Sequence, residues 1–469
     1  MKLKPELTRK SDRLGKEAIV PLLIKLSIPS IIGMAIQALY NVVDSVYLGH
    51  YDEKALAALS LIFPISMVMI SVAIGTGVGS TSLISRLLGR GNNHKANNAA
   101  EHAALLALIY GLSVGIAGFF LSGGLIGFFT ENKELIDLGT RYLRIILIGS
   151  VALFFPMVAN NILRGEGNTF APMVSMIIGA GLNILFDPFL IFGLGPFPRL
   201  GIEGAAYATV FSRVISGFFI AAILFSDRNE LTLEPRDFSF DFGIVKEIYR
   251  VGFPAALMQL LASVMLAGMN KIVASYDTLA LAVIGIYFRL QSFVFMPVFG
   301  LNQGYMPIVG YNYGHENPER VKKAIGSGML VAFTFTTLGF LVFQFFPREL
   351  LLMFNDNPEL IAIGKTAFQR ITLAFPIVGP AVIGSATFQA FGKGFPSLTL
   401  SFLRQIIILL PLMYFMGKLG GLDFLWYSIP ISDVISALLT GGWLWLTLKG
   451  LLSDKPIEGE VALADSEGR

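Results

Sequence analysis

Long apolar segments, separated by short polar connections, recur along almost the whole chain. A helix needs about 20 consecutive apolar residues to cross a bilayer, so segments of this length predict membrane-spanning helices. We therefore expect an all-α, polytopic membrane protein. The predicted spans, numbered one to twelve in chain order, cover residues 21–49, 55–88, 94–125, 134–163, 170–193, 201–225, 242–275, 279–312, 319–346, 358–390, 396–417 and 424–448.

Composition supports the membrane assignment. Of the 469 residues, 54% are hydrophobic and only 14% are charged, whereas soluble domains carry roughly 25% charged residues. The chain has no cysteine, which excludes disulfides, thiolate metal sites and cysteine nucleophiles. The net charge of +3 comes from Lys and Arg in connections and tails. This distribution reports membrane topology and gives no indication of a nucleic-acid partner.

Positive charge is concentrated at the start of the chain and at the even-numbered connections. Cytoplasmic loops carry an excess of Lys and Arg, so both termini and the even-numbered connections are predicted to lie in the cytoplasm. Residues 1–16 precede an apolar run too long for the core of a signal peptide, and we expect them to be a retained cytoplasmic tail. The cations of the N-terminal segment and of the even-numbered connections are Lys2, Lys4, Arg9, Lys10, Arg13, Lys16, Arg86, Arg90, Lys95, Arg164, Arg228, Arg236, Lys246, Arg250, Arg320, Lys322, Lys323 and Lys393.

The two halves of the chain repeat each other. A shift of 225 residues aligns them without a gap over about 140 positions. Each copy contains six spans, so both copies face the same way, which predicts two six-helix bundles with a cavity at their interface. The expected units are residues 1–225, a cytoplasmic linker 226–241, residues 242–449 and a cytoplasmic tail 450–469. Among the matched pairs are Pro29 with Pro254, Gly75 with Gly300, Gly79 with Gly304, Gly89 with Gly314, and Asn92 with Asn317.

Span one carries a polar stripe near its outer end. Gln37, Tyr40, Asn41 and Asp44 are spaced i, i+3, i+4 and i+7, which places them on one helix face. An acid at the bilayer centre costs about 2.5–3.5 kcal/mol on insertion scales. The second repeat lacks this stripe, so the scaffold alone does not explain it, and we favour a functional role over a structural interhelical hydrogen bond. The aligned residues there are Ala262, Met265, Leu266 and Met269.

Span five carries a matching pair, Asn183 and Asp187, which the second repeat also replaces with apolar residues. Counted at 1.5 Å per residue, Asp187 lies roughly 8 Å inside the outer end of its span, as does the span-one acid, and Thr209 and Tyr142 lie near 12 Å. These groups are predicted to form one polar pocket in the outer half of the first bundle. Two acids in one pocket repel each other, so one can hold a proton near neutral pH. A small hard cation such as Na⁺, bound by Asp44 and Asp187, is the alternative that the sequence leaves open.

The second half has its own intramembrane charges, Arg289, Arg404 and Asp433. Such charges usually pair with one another, so we favour an internal salt-bridge cluster over a contact with substrate or a gate. Arg213 aligns with Asp433 in the repeat and is interpreted as structural too.

Signals for catalysis are weak. The run Gly75-Thr76-Gly77-Val78-Gly79 resembles a phosphate loop but lacks the lysine that would follow, so helix packing explains it better. Asp44 and Asp187 could form an aspartyl dyad, but they lack the sequence signatures of an intramembrane aspartyl protease. We predict no catalytic residues.

Taken together, these motifs resemble the multidrug and toxin extrusion (MATE) transporter family, in its prokaryotic branch with the coupling acids in the N-terminal bundle. The resemblance extends from about Ala18 to Lys449. It is carried by Pro29, by the stripe, and by two further motifs, Asn183-Ile184-Leu185-Phe186-Asp187-Pro188 and Gly310-Tyr311-Asn312-Tyr313-Gly314.

This resemblance implies a V-shaped pair of bundles and an antiporter of the plasma (inner) membrane. Such a protein exports amphipathic or cationic compounds against inward H⁺ or Na⁺ movement and needs no other cofactor. It implies roles for the following residues: Asp44, Asp187, Asn183 and Thr209 in coupling, Gln37, Tyr40, Asn41, Tyr142 and Asn160 in the pocket, and Pro29 as a hinge. Residues 252–274 and 365–390 contain no Asp or Glu, so a second cation site like that of other branches is not expected.

Three other functions are the alternatives. A lipid or lipid-linked oligosaccharide flippase would use the basic Arg289 and Arg404, and an ion channel would need no paired acids. An enzyme is least favoured. We expect a monomer embedded in the lipid bilayer.

Overall fold

The computed structural model describes residues 11–226, 229–234 and 238–452, and the regular elements in this part of the chain are helices. Of the predicted tails 1–16 and 450–469, residues 1–10 and 453–469 lie outside the described residues, as do the linker cations Arg228 and Arg236. Eleven helices are long and apolar enough to cross a membrane, and a bent pair makes the twelfth, which confirms the predicted all-α polytopic fold. The spans are Ile19–Tyr51, Glu53–Gly89, Asn93–Gly127, Lys133–Ile148 with Val151–Gly165, Phe170–Phe192, Ile202–Leu224, Phe242–Ala274, Thr278–Gly314, Pro318–Phe345, Pro358–Ala390, Gly394–Leu425 and Ser428–Leu452.

Asn and Asp side chains fix where several spans begin. Asn92 Oδ1 accepts a hydrogen bond from the Lys95 backbone N–H at the start of span three. Asn317 does the same for span nine, with Arg320 as the donor. Such a cap satisfies one of the free N–H groups of the first turn and typically contributes about 1 kcal/mol. The two capping residues are a matched pair of the repeat, so part of the sequence match is capping chemistry.

Three spans depart from a straight α-helix. Span four bends by 48° between its two helices, around Gly149 and Ser150. Span ten passes through a 3₁₀ turn at Thr372–Ala374, and span eleven contains a π-helical segment at Leu403–Leu409. By contrast, the helix of span one continues through Pro29.

The bundles meet where spans two and seven, and spans eight and one, cross at glycines. A Cβ on Gly79 would lie 2.1 Å from the Ile248 carbonyl oxygen, and a Cβ on Gly304 would lie 2.8 Å from Ser27 Oγ. Only glycine allows backbones to approach this closely. These contacts lie toward the end of the molecule where span one begins and the even-numbered connections run, which we call the cation-rich side.

A short N-terminal segment, residues 11–17 with the helix Asp12–Lys16, covers this interface on the cation-rich side. Leu14 is fully buried, and its carbonyl accepts a hydrogen bond from Asn312 Nδ2 at 2.9 Å. Arg320 Nη2 donates to the Glu17 carbonyl at 2.8 Å, so the segment is bound to the second bundle. Ser11 Oγ donates to Glu230 Oε1 in the linker at 2.7 Å. We call this segment the N-terminal clasp.

Candidate functional site

A cavity of about 630 Å³ lies between the two halves of the molecule. The first half provides most of its wall, including Gln37, Tyr40 and Asn41 of the polar stripe. The second half closes it with side chains of spans seven and eight. The polar residues of the wall include Gln37, Tyr40, Asn41, Asn160, Asn161, Arg164, Asn183, Thr209, Arg213, Gln259, Asn302 and Gln303.

Asp187 is fully buried, and Asn183 holds it from one helical turn away. Asn183 Nδ2 lies 3.2 Å from Asp187 Oδ1 and 3.3 Å from Thr209 Oγ1, so one amide group donates to both. The spacing i, i+4 in span five brings the amide and the acid to the same face. Pro188 follows inside the same helix and has no N–H to donate to the Ile184 carbonyl. The structure thus brings together three of the predicted coupling residues.

Asp44 completes the group from span one. Its carboxyl group lies close enough to the Asp187 carboxyl group for the charge of one acid to act on the other. Two ionised carboxylates at this separation repel each other, so the arrangement favours a proton on one of them. One oxygen of each acid, Asp44 Oδ1 and Asp187 Oδ2, is buried without a protein partner in the described structure. The two acids and the oxygens of Asn183 and Thr209 are also the groups that could hold a cation.

Charged and phenolic groups surround the pair. The Arg213 side chain is close enough for its charge to act on Asp44. Buried Tyr142 lies within electrostatic reach of both acids and of Tyr40. Neither acid belongs to the described cavity wall, whereas Asn183 and Thr209 do. These two residues therefore connect the acids to the cavity.

The other predicted pocket residues divide between wall and interior. Gln37, Tyr40 and Asn41 line the cavity, and so does Asn160. Tyr142 lies behind the wall, beside the acids.

In the second half, Arg404 Nη1 pairs with Asp433 Oδ1 at 3.0 Å. Arg404 is carried by the π-helical segment of span eleven, and its carbonyl accepts a hydrogen bond from Ser432 Oγ at 2.9 Å. The sequence predicted one cluster that also contained Arg289, and the structure corrects this. Arg289 is exposed and pairs with no acid of the described residues. Residue counting along a helix gives the depth of a side chain but not its exposure or its partners, so the sequence did not separate Arg289 from the other two charges.

Two cavity arginines were not assigned to the pocket from sequence. Arg164 was interpreted as a loop cation, but it occupies the last turn of the second helix of span four, is only 7% exposed and lines the cavity. Arg213 was interpreted as structural, but it lines the cavity beside Asp44. Arg213 lies inside a predicted apolar span, where a cation is itself a signal of function. Arg164 follows the predicted end of span four, so the sequence offered no such signal for it. Asn302 and Gln303 of span eight were also missed. They are adjacent in sequence and do not belong to a series of polar residues spaced three or four apart, which is the signal that identified the stripe of span one.

Comparison with known proteins gives concordant results. A family model described as MatE matches residues 29–189 and 254–415, one match in each half. A Thermotoga maritima protein named "Probable multidrug resistance protein NorM" is 30% identical over 419 residues, covering 88% of this chain and 89% of that protein. A Shewanella oneidensis protein named "FAD transporter" is 28% identical over 416 residues, covering 89% and 92%. A crystal structure of a MATE protein in complex with MaD3S superposes with a TM-score of 0.89 at 30% identity, covering 94% of this chain and 99% of that one.

Proposed function

Since this chain belongs to the MatE family of multidrug and toxin extrusion transporters, and these are not enzymes, we propose that it is a cation-coupled antiporter. It exports amphipathic small molecules by alternating access. The observation that carries this proposal is the neighbouring pair of intramembrane acids, Asp44 and Asp187, which Asn183 and Thr209 connect to the cavity.

The acid pair couples ion binding to the shape of the cavity. With a proton on one acid, that acid can donate a hydrogen bond to the other, and such a bond would tie span one to span five. With both acids ionised, the two charges repel each other, and the Asn183 N–H remains as the donor to Asp187. A ligand shifts an equilibrium only by its difference in affinity for the two states. The pair provides that difference for a proton, and for Na⁺ if the oxygens around it bind the ion.

Orientation follows from charge. The cation-rich side faces the cytoplasm, so both termini are cytoplasmic, and the protein works as a monomer in the plasma (inner) membrane. The bundles touch at glycines on that side, and the cavity lies beyond these contacts. The structure is therefore closed toward the cytoplasm, which is the state that releases substrate.

The candidate substrates are amphipathic drugs, as the name of the Thermotoga relative indicates, and flavin nucleotides, as the name of the Shewanella relative indicates. Methionines and Phe299 in the wall suit apolar bodies of varied shape.

The decisive experiment uses Asp44→Asn and Asp187→Asn variants in proteoliposomes. We expect both to fold and to lose dye efflux driven by a gradient, because an amide cannot exchange a proton. Proton and sodium gradients are imposed separately, so the wild type identifies the coupling ion. Asp137→Asn is the matched control, since Asp137 is 58% exposed and, among the described residues, forms an ion pair with nearby Arg141 only. Normal gradient-driven efflux by both acid variants would overturn the proposal.

A further inference from the structure

The charge of the cavity wall has one sign. Two arginines, Arg164 and Arg213, line the cavity, and no Asp or Glu is among the described residues of the wall. Arg213 is partly balanced, because its charge acts on Asp44. Arg164 has no such partner.

Arg164 is buried at 7% exposure and makes no ion pair in the described part of the chain. Its Nε is buried without a hydrogen-bond partner, and its Nη2 contacts only the Met176 sulfur at 3.7 Å. Glu166, the acid nearest in sequence, uses its Oε2 to accept backbone N–H groups of the linker. A buried charge without a counter-charge is unfavourable. A ligand that carries the missing negative charge would remove this cost.

The other groups of the cavity wall suit an organic ligand rather than a bare anion. Buried side-chain oxygens of Asn160, Asn302 and Gln303 have no protein partners in the described structure and can accept hydrogen bonds from ligand N–H or O–H groups. Met306 and Phe299 add apolar surface. Guanidinium binds carboxylate, sulfonate and phosphate through two parallel hydrogen bonds.

We propose that the substrates of this transporter are amphipathic organic anions, whose acidic group pairs with Arg164 at the floor of the cavity. This inference rests on the proposed export function and narrows it, since the family resemblance alone implied amphipathic or cationic compounds. Arg164 acts as a specificity-determining residue.

The test compares two fluorescent dyes with the same xanthene ring but opposite charge, carboxyfluorescein and rhodamine 6G. Full-length protein in liposomes is energised by a proton gradient and, separately, by a sodium gradient. We expect transport of carboxyfluorescein, and competition from unlabelled aromatic carboxylates but not from aromatic amines. This wild-type measurement depends on no variant.

Substitutions locate the selectivity. Arg164→Gln should raise the KM for carboxyfluorescein by about tenfold or more, the usual worth of a charge-assisted hydrogen bond. Arg164→Lys keeps the charge but loses the paired donors, so its KM should be intermediate. Arg141→Gln removes an equal charge from an exposed site and should leave the KM unchanged.

The outcomes separate the two proposals. Transport of rhodamine 6G without carboxyfluorescein would overturn the anion assignment and leave the export function standing. An unchanged KM in folded Arg164→Gln would also overturn it. Movement of neither dye under either gradient would count against export itself, and the anion assignment would fall with it.

Discussion

At the scale of single residues, the Arg404–Asp433 pair shows how the second bundle holds charge inside the membrane. Asp433 has a 13% exposed side chain, whereas that of Arg404 is 35% exposed. Removing one partner of a buried pair leaves a charge without compensation, which is more harmful than removing both. The pair also ties span twelve to the π-helical segment of span eleven.

We therefore predict that Arg404→Gln lowers the free energy of unfolding by about 2 kcal/mol, a value reduced from that of fully buried pairs because Arg404 is partly exposed. The double variant Arg404→Gln/Asp433→Asn should recover most of this loss. The melting temperature in detergent measures both, and efflux per folded molecule should stay near that of the wild type. A double variant as unstable as the single one would contradict a structural role for the pair.

How far the sequence predicts a site depends on whether a helix face can be read from spacing. The stripe of span one and the pair in span five follow helical periods, so Asp44, Asn183 and Asp187 were predicted to meet, and they do. Arg164 and Arg289 belong to no such series of polar residues at helical spacing. The directions of their side chains depend on tertiary packing, so one was placed in a connection and the other in a cluster that it does not join.

At the scale of helices, spans begin and end where the apolar runs meet capping residues, which is why the predicted bounds agree with the structure within a few residues for most spans. The bend of span four and the π-helical segment of span eleven were not predicted. Each has a local correlate, the Gly149-Ser150 pair at the bend and Pro411 just after the π-helical segment. Neither correlate is decisive, because glycine and proline also occur in spans that continue as α-helix, such as span one at Pro29.

The glycines of the bundle interface give a prediction at this scale. A Cβ on Gly79 would lie 2.1 Å from the Ile248 carbonyl oxygen, so Gly79→Ala should force spans two and seven apart. Overpacking of this kind typically costs about 1–3 kcal/mol. Gly124→Ala is the matched control, because a Cβ there meets nothing within 4 Å. Since alanine favours helix in both variants, only Gly79→Ala should lower the melting temperature and slow efflux. Equal stability of the two variants would show that the interface tolerates separation.

At the scale of the whole molecule, the repeat places equivalent glycines at equivalent contacts. Gly75 approaches Ala256 on span seven, and Gly300 approaches Ile31 on span one. Each residue of the second contact is the 225-residue counterpart of one in the first. This symmetry seals the cation-rich side with the same contact twice. The acid pair, the cavity arginines and the N-terminal clasp do not follow the symmetry, and these are the parts to which we assign coupling, specificity and closure.

The clasp is the contact that an opening toward the cation-rich side has to break. Arg320 holds it through the Leu14 and Glu17 carbonyls at 3.2 and 2.8 Å, and through Asn312 Oδ1 at 3.0 Å. Because each charge-assisted bond is worth about 1.5–3 kcal/mol, Arg320→Gln should raise the population open on this side by about tenfold or more. The clasp also reaches the linker through Ser11 and Glu230, so its release would free both bundles at once.

Spin labels at His94→Cys and Lys323→Cys report this opening, one label on each half. The natural chain has no cysteine, so labelling is confined to the introduced sites. In the Arg320→Gln background, the distance distribution should gain a longer component at the expense of the short one. Arg348→Gln removes an exposed cation from the short helix Pro347–Leu352 and should leave the distribution unchanged. If Arg320→Gln also leaves it unchanged, closure rests on the glycine contacts alone, and the clasp only covers an interface that the bundles already hold.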